Sequence, residues 1–416
     1  MRKFIVRVVV ALVVLCGASL YAYETNNVSE TYENKEIKND SNMLSMMLET
    51  SAGSGEYQKT SASAWPTEGY VFNESLSKCE KGSSLSWDSS KNTVVMMGNN
   101  ADRCYVYFDK APDIIKLSDY IKSLYSTQGA NNLYYHDSTL TNGAGDNSYR
   151  YAGSSETTNN FVCFGYDSTD GSCPMDYLYR IIGVFDNQVK LIKYDYANSN
   201  LLGTDGDYST GTYSKSSYST YKGELTTINR YYWNNNTSTN VWSESRLNTT
   251  NLNTNYLNNI GTSWSNKIAT HTWKVGGNTS ANIASVTAPN AYTNEITTPA
   301  ENTAYDAKVG LMYVSDYGYA ASQSAWITPL YNSSGNDYRL ASVTSVNWMY
   351  MGLYEWTLVR RSDNSDTAFA VYLDGDLYKY GYVDGTDLAV RPAFYLTSET
   401  AYVGGNGTQN SPYLLS

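Results

Sequence analysis

The chain has 416 residues, with 29 Lys and Arg against 40 Asp and Glu, a formal charge of −11. An acidic chain without a long basic run is a poor match for duplex nucleic acid or an anionic membrane surface. Its 41 Tyr, against 8 Phe and 9 Trp, admit two readings of equal weight: amphipathic binding surfaces or a β-rich fold whose pleats suit aromatic rings.

Residues 1–22 read as a secretory signal peptide. Arg2, Lys3 and Arg7 form its positive region, Val8–Cys16 its apolar core, and GASLYA its small-residue end. The alternative is retention as an N-terminal anchor, the one route by which a membrane becomes a partner. Without the leader, 26 basic residues face 40 acidic ones, a charge of −14. Residues 23–64 are polar and read as a stalk or linker, with one short helix expected over MLSMMLE (Met43–Glu49). Residues 65–110 read as a small β module, with strands expected over Asn92–Met97 and Cys104–Phe108. Four cysteines follow the leader: Cys79, Cys104, Cys163 and Cys173. An even number in an exported chain suggests two disulfides. Of three pairings, Cys79–Cys104 and Cys163–Cys173 are favoured, because each brackets one hairpin or loop. Zinc is the competing reading, but no CxxC spacing occurs.

Residues 111–160 combine a helix with a Tyr, Asn and Gly-rich connector. Ile114, Leu117, Ile121 and Leu124 carry the helical spacing. LYRIIGVFDNQVKLIKYD (Leu178–Asp195) predicts a hairpin, Tyr179–Phe185 and Gln188–Tyr194, turning at Asp186-Asn187, with one arm central in its sheet. Residues 196–310 read as polar and low in structure. Within them Leu247, Leu252, Tyr256, Leu257 and Ile260 keep helical spacing up to a stop at Gly261. Gly310–Val314 and Asp316–Ala321 suggest strand and loop. From Trp348 to Leu396 at least three strands are expected, with a Tyr-rich hairpin turning on Asp374-Gly375.

The residues that chemistry needs are scarce. Only His136 and His271 are present, so a three-His metal centre is excluded, and HExxH is absent. His136 in YYHDST reads as a surface residue and His271 in IATHTWKV as a half-buried strand or helix residue. Neither G-x-S-x-G, GxxxxGK[ST] nor GxGxxG occurs, so no nucleotide partner and no cofactor is signalled. Calcium stays open without being signalled: Asp167 with Asp170, Asp205 with Asp207, Asp374 with Asp376, and Asp384 with Asp387 sit near turns. Turn-forming Asp is the simpler reading, and no EF-hand spacing is present. A pair of carboxylates among 40 acids keeps sugar hydrolysis open.

Three segments carry a resemblance: the R-I-I-G-V/V-K-L-I-K hairpin (Arg180–Lys193), GLYEWTL (Gly352–Leu358), and an A-x-V-x-x-D-G hairpin ending in VRPAFYL (Val390–Leu396). In these, residues 161–416 resemble domains of the formylglycine-generating-enzyme and C-type-lectin-like fold. NNLYYHD, the Cys163–Cys173 loop and YLNNIGTSWSNKIATHTW are similar to segments of exported proteins of gut-type Gram-positive bacteria. The resemblance implies an α+β fold: a C-type-lectin-like mixed α/β domain with an irregular, loop-rich antiparallel sheet, preceded by the disulfide-stapled β module. It does not carry over the family's activities. No Cys follows Cys173, no His cluster exists, and the sugar-binding triplets EPN, QPD and WND are missing. Some members diversify binding residues near their C-terminus, and the composition from Arg361 to Asp387 is similar.

The expectation is a secreted or cell-surface binding protein, not an enzyme, whose partner is an extracellular glycan or protein. Strand alternation puts Tyr378, Tyr380 and Tyr382 on one face, with Tyr372, Asp374 and Asp376 near the turn and Asp384 and Asp387 beyond it. Arg360, Arg361, Asp363 and Asn364 of the preceding loop would add directional hydrogen bonds. The plainer alternative packs the Tyr face against a neighbouring helix. A carbohydrate-active hydrolase and a structural envelope protein are the rival functions.

Overall fold

Strands dominate the fold, as the aromatic content leads one to expect, with a few short helices between loop-rich and largely antiparallel sheets. A computed structural model describes residues 28–32, 44–62, 64–66, 68–98, 101–128, 131–168, 171–214, 227–282, 286–331, 344–352 and 354–416. The signal peptide expected over residues 1–22 lies outside the described residues. Two compact units divide between Ile114 and Ile115.

In the first unit, Tyr57–Lys59, Leu44–Glu49, Cys104–Lys110 and Tyr70–Cys79 form one sheet in that order, and Val28–Tyr32, Thr93–Gly98 and Ser84–Asp88 a second. Leu44, Met46, Val94, Met96, Val106 and Phe108 fill its core. The helix expected over Met43–Glu49 is instead a strand, running parallel to Cys104–Lys110. Part of the presumed stalk is therefore core. Leu and Met favour helices by propensity, but a partner strand some sixty residues away decides the outcome, and local spacing cannot report it. Cys79 and Cys104 are direct cross-strand neighbours joined by a disulfide.

The second unit is built on a seven-stranded antiparallel sheet. The expected hairpin, Leu178–Phe185 and Gln188–Lys193, occupies its centre. Asp186 and Asn187 turn it with φ of 52° and 88°, the left-handed pair a two-residue hairpin needs. Ala393–Tyr395 lies beside Gln188–Lys193, with Val309–Gly310 as the edge strand beyond it. Leu133–His136 and Ser148–Tyr151, read as connector, are two of its strands. Gly183 of R-I-I-G-V has a spatial reason: a Cβ there would lie 2.3 Å from the Tyr149 carbonyl oxygen. The helix expected across 111–130 is confined to Leu117–Gln128, where Leu117 and Ile121 are buried. The second disulfide joins Cys163 to Cys173.

Residues 196–310 carry more structure than their polarity suggests. Leu247–Tyr256 is a wide-turned π-helix burying Leu247, Leu252 and Tyr256. Its asparagines are structural: Asn251 donates to the Leu202 carbonyl at 2.7 Å and Asn253 to that of Val309 at 2.8 Å. Val314–Tyr319, expected as strand and loop, is a helix. Asp316 Oδ2 accepts the Tyr313 N–H at its start, at 2.8 Å, a local capping bond that competes well with extended backbone.

The C-terminal segment forms a three-stranded sheet, Glu355–Arg360, Thr367–Val371 and Leu377–Tyr382. A Cβ on Gly381 would lie 2.5 Å from the Trp356 ring and 2.7 Å from the Ala368 carbonyl oxygen. Gly381→Ala is expected to destabilise the second unit by roughly 1–3 kcal/mol through overpacking, read as a lower denaturant midpoint.

Candidate ligand-binding face and a buried charged cleft

Along Leu377–Tyr382, Leu377 and Gly381 are buried and Tyr380 and Tyr382 exposed, while a register irregularity pairs Gly381 with Ala368 and Tyr378 with Ala370 and so interrupts strict alternation. Tyr380 and Tyr382 are 47% and 48% exposed. Tyr378 is half-buried in an aromatic cluster, its ring 5.5 Å from Tyr372 and 6.1 Å from both Tyr354 and Tyr380. Tyr354 meets Tyr372 edge-on at 4.0 Å. Tyr354, an unforeseen member, sits one residue before the Trp-bearing strand.

The loop residues expected beside this face are placed near one another, but their hydrogen bonds run within the protein. Arg360 pairs with Glu301 at 2.7 Å and donates to the Val275 carbonyl. Arg361 pairs with Asp363 at 3.1 Å and donates to Ser280 Oγ. Partial burial raises the Asp363 pKa, yet bonds from Arg361 and Ser280 outweigh it and bring the carboxyl down to about 2. Asn240 gathers the loop: its side-chain amide contacts the carbonyls of Arg361, Asn364 and Thr367, each at 2.7 Å. Asn364 Oδ1 accepts the Asp366 N–H, and Asp374 Oδ1 accepts the Asp376 N–H at the hairpin turn. Asp384 lies in the next turn, closed by a bond from the Thr386 N–H to the Tyr382 carbonyl. Asp387 pairs with Arg230 at 3.1 Å and accepts from Ser209 Oγ. The predicted residues thus fall into an outward Tyr face and a polar frame.

The other Asp clusters also serve the fold. Asp207 is buried and accepts the N–H groups of Asn235 and Leu247, and Asp205 accepts from Asn255 at 2.6 Å. Asp170 lies outside the described residues. Among the described residues, no group of three or more His, Cys, Asp or Glu is placed to hold a metal ion.

A second concentration of chemistry escaped sequence reading. Arg150 and Lys190 of the central sheet are buried together with Asp316 of the helix Val314–Tyr319. Lys190 Nζ lies 2.6 Å from Asp316 Oδ2, and Arg150 Nη2 lies 2.5 Å from Asp146 Oδ2. Burial lowers the Lys190 pKa, with Asp316 opposing. The Asp146 carboxyl, raised by burial but lowered more by Arg150 and Ser148, titrates near pH 2, at about 2. Each group comes from a different element, so no motif could have announced the set. The Lys within V-K-L-I-K was the available signal, a cation in an otherwise buried strand.

His136 is not a surface residue. It is fully buried, its Nδ1 accepts the Ala144 N–H at 3.0 Å, and its ring packs against Tyr319 and Trp326. Burial first, and Arg150 second, push its pKa down to about 3. His271 is half-buried on the strand His271–Lys274, as expected, with its pKa lowered to about 4 by burial and by Lys190. Glu295 is fully buried behind the cluster and accepts the Ser315 N–H at 3.0 Å. Burial raises its pKa to about 8, with Ser315 opposing.

Comparison with protein-family models, curated proteins and solved structures finds no match to this chain.

The Glu295 shift sets a pH dependence. The folded chain keeps this proton up to about pH 8, whereas an unfolded Glu gives it up above its ordinary value of 4.5. Stability from Glu295 is therefore full below that value and lost as pH rises toward 8. The two histidines act oppositely, but only below about 6.5. Between pH 6.5 and 8, chemical denaturation should show falling stability in the native protein and a flatter profile in Glu295→Gln. An unchanged slope would refute the assignment.

Proposed function

We propose that this protein is a secreted or surface-displayed binding protein of the C-type-lectin-like kind, recognising an extracellular glycan or protein through its Tyr face. One observation carries the reading: a strand locked to the core by Leu377 and Gly381 presents Tyr380 and Tyr382 to solvent beside a Tyr354–Tyr372–Tyr378 cluster. Tyr offers a large contact area and a hydroxyl while freezing few rotors. The frame around it is held by its own ion pairs and by Asn240, so little ordering remains to oppose binding. Two disulfides fit an oxidising compartment.

The reading is non-catalytic. Asp146 and Asp316, the buried carboxylates of the cleft, are each engaged by a cation, which suits neither half of a glycosidase acid–base pair. No described observation favours the hydrolase or the envelope role over binding.

Tyr380→Ala/Tyr382→Ala removes exposed rings only, so it should unfold at the native temperature while losing at least tenfold in affinity for ligands found on glycan and extracellular-protein arrays. Native-like affinity in the folded double variant would end this proposal.

A further inference from the structure

Lys190 and Asp316 belong to the charged cleft yet are closed off within the fold, 0% and 2% exposed. Lys190 Nζ lies 2.6 Å from Asp316 Oδ2. The rings of Tyr313, Tyr395, Trp273 and Phe185 enclose it, their centroids 4.6 to 5.8 Å away. An ammonium has three donors, and among the described residues this one meets a single acceptor. Opposite charges and unmet donors held out of water are costly. The pair has no opening for a guest, but its two members can react with each other.

An ammonium and a carboxylate condense to a secondary amide and one water. The amide carries no charge and keeps one donor of the three, so it suits an aromatic enclosure better than the ion pair does. The sheet strand Gln188–Lys193 and the helix Val314–Tyr319 hold the reactants in contact, the proximity that raises effective concentration by orders of magnitude. The surrounding rings keep out the water that would reverse the step.

A third group can move the protons. Glu295 is also buried, and its Oε2 accepts the N–H of Ser315, the residue before Asp316. Its Oε1 has no hydrogen-bond partner among the described residues. Burial raises the Glu295 pKa to about 8, so it holds a proton at neutral pH, and it feels the charges of both Asp316 and Lys190. Burial also lowers the Lys190 pKa, which enlarges the share of free amine. At Asp316 the Tyr313 N–H sits on Oδ2 at 2.8 Å, placed to steady negative charge there. Oδ1 has Arg150 Nη1 at 3.8 Å, beyond hydrogen-bond reach.

We propose that Lys190 and Asp316 join in an intramolecular isopeptide bond, with Glu295 as the proton carrier. The Nζ lone pair attacks Asp316 Cγ, the Nζ–Cγ bond forms and the Cγ–Oδ1 bond breaks. Two of the three ammonium protons end on Oδ1, which leaves as water. Glu295 donates one proton and recovers one, so it finishes as it began. Oδ2 stays as the amide oxygen under the Tyr313 N–H. The bond ties positions 126 apart in the chain, spans the polar region 196–310, and unlike the two disulfides survives reduction. It is independent of what the Tyr face binds.

Mass spectrometry of the intact, fully reduced protein tests this. The native chain should be lighter by one water than its mature sequence requires, and a digest should yield one branched peptide joining Lys190 to Asp316. Lys190→Met and Asp316→Ala should keep their full mass and migrate more slowly than the native chain in denaturing electrophoresis, because their loop is open. Glu295→Gln should show a linked fraction at least about tenfold lower in freshly purified protein. The native mass and digest decide the matter even where a variant fails to fold. A native chain of full mass, a lost water mapped to other residues, or a Glu295→Gln chain linked as completely as the native one would each overturn the proposal.

Discussion

Two tryptophans hold the second unit in register. Trp356 Nε1 donates to the Tyr231 carbonyl at 2.7 Å, and Trp233 Nε1 donates to the Thr357 carbonyl at 3.1 Å. Both rings are fully buried, where an indole N–H without a partner is costly. Because the bonds are reciprocal, neither segment can slide by a residue without orphaning two donors at once. The Trp-bearing strand is fixed a second time by its first residue. Glu355 takes a two-pronged pair from Arg391 at 2.6 Å on each prong, and Arg391 also donates to the Met349 carbonyl. Breaking such a pair from one side leaves a buried charge without compensation. The three-stranded C-terminal sheet, the strand Thr227–Tyr232 and the strand Ala393–Tyr395 of the central sheet all take their positions from these contacts.

Hydrogen bonding of this kind replaces much of what aliphatic packing does elsewhere. The chain is rich in Asn and Tyr, and its core accepts buried amides such as Asn160, Asn248 and Asn347 because each donates to a carbonyl. Asn240 closes the polar loop before the Tyr hairpin, and Asn251 and Asn253 tie the π-helix to its neighbours. Arg180 goes further, with neutral acceptors alone: Asn160 Oδ1 at 2.6 Å and the Thr158 carbonyl at 2.7 Å, beneath the rings of Phe161 and Trp348. Burial holds its pKa down to about 9 and leaves the guanidinium charged at neutral pH.

What could be read from the sequence was what depends on neighbours in the chain. The Asp186-Asn187 turn, the helix of Leu117 and Ile121, the Asp374-Gly375 hairpin and the Cys163–Cys173 loop each declare themselves within a dozen residues. Elements that depend on distant partners were misread. Met43–Glu49 needed Cys104–Lys110 to become a strand, and the buried asparagines between 234 and 253 looked like loop polarity because their acceptors are remote carbonyls. His136 was taken for a surface group since its polar flank, Asp137 and Ser138, hides a ring enclosed by Tyr319 and Trp326. Alternation along the Tyr strand was legible, but the irregularity that interrupts it depends on pairing with Thr367–Val371 and was not. The Lys190 cleft was not legible at all, because it is assembled from six separated segments.

The Tyr strand separates two demands that usually compete. Leu377 and Gly381 are buried and answer to Trp356 and the core, whereas Tyr380 and Tyr382 keep about half of their surface in solvent. Substitution at the outward positions therefore costs less folding free energy than substitution at the inward ones. Such a strand is a surface on which specificity can drift over many sequences while the scaffold beneath stays the same.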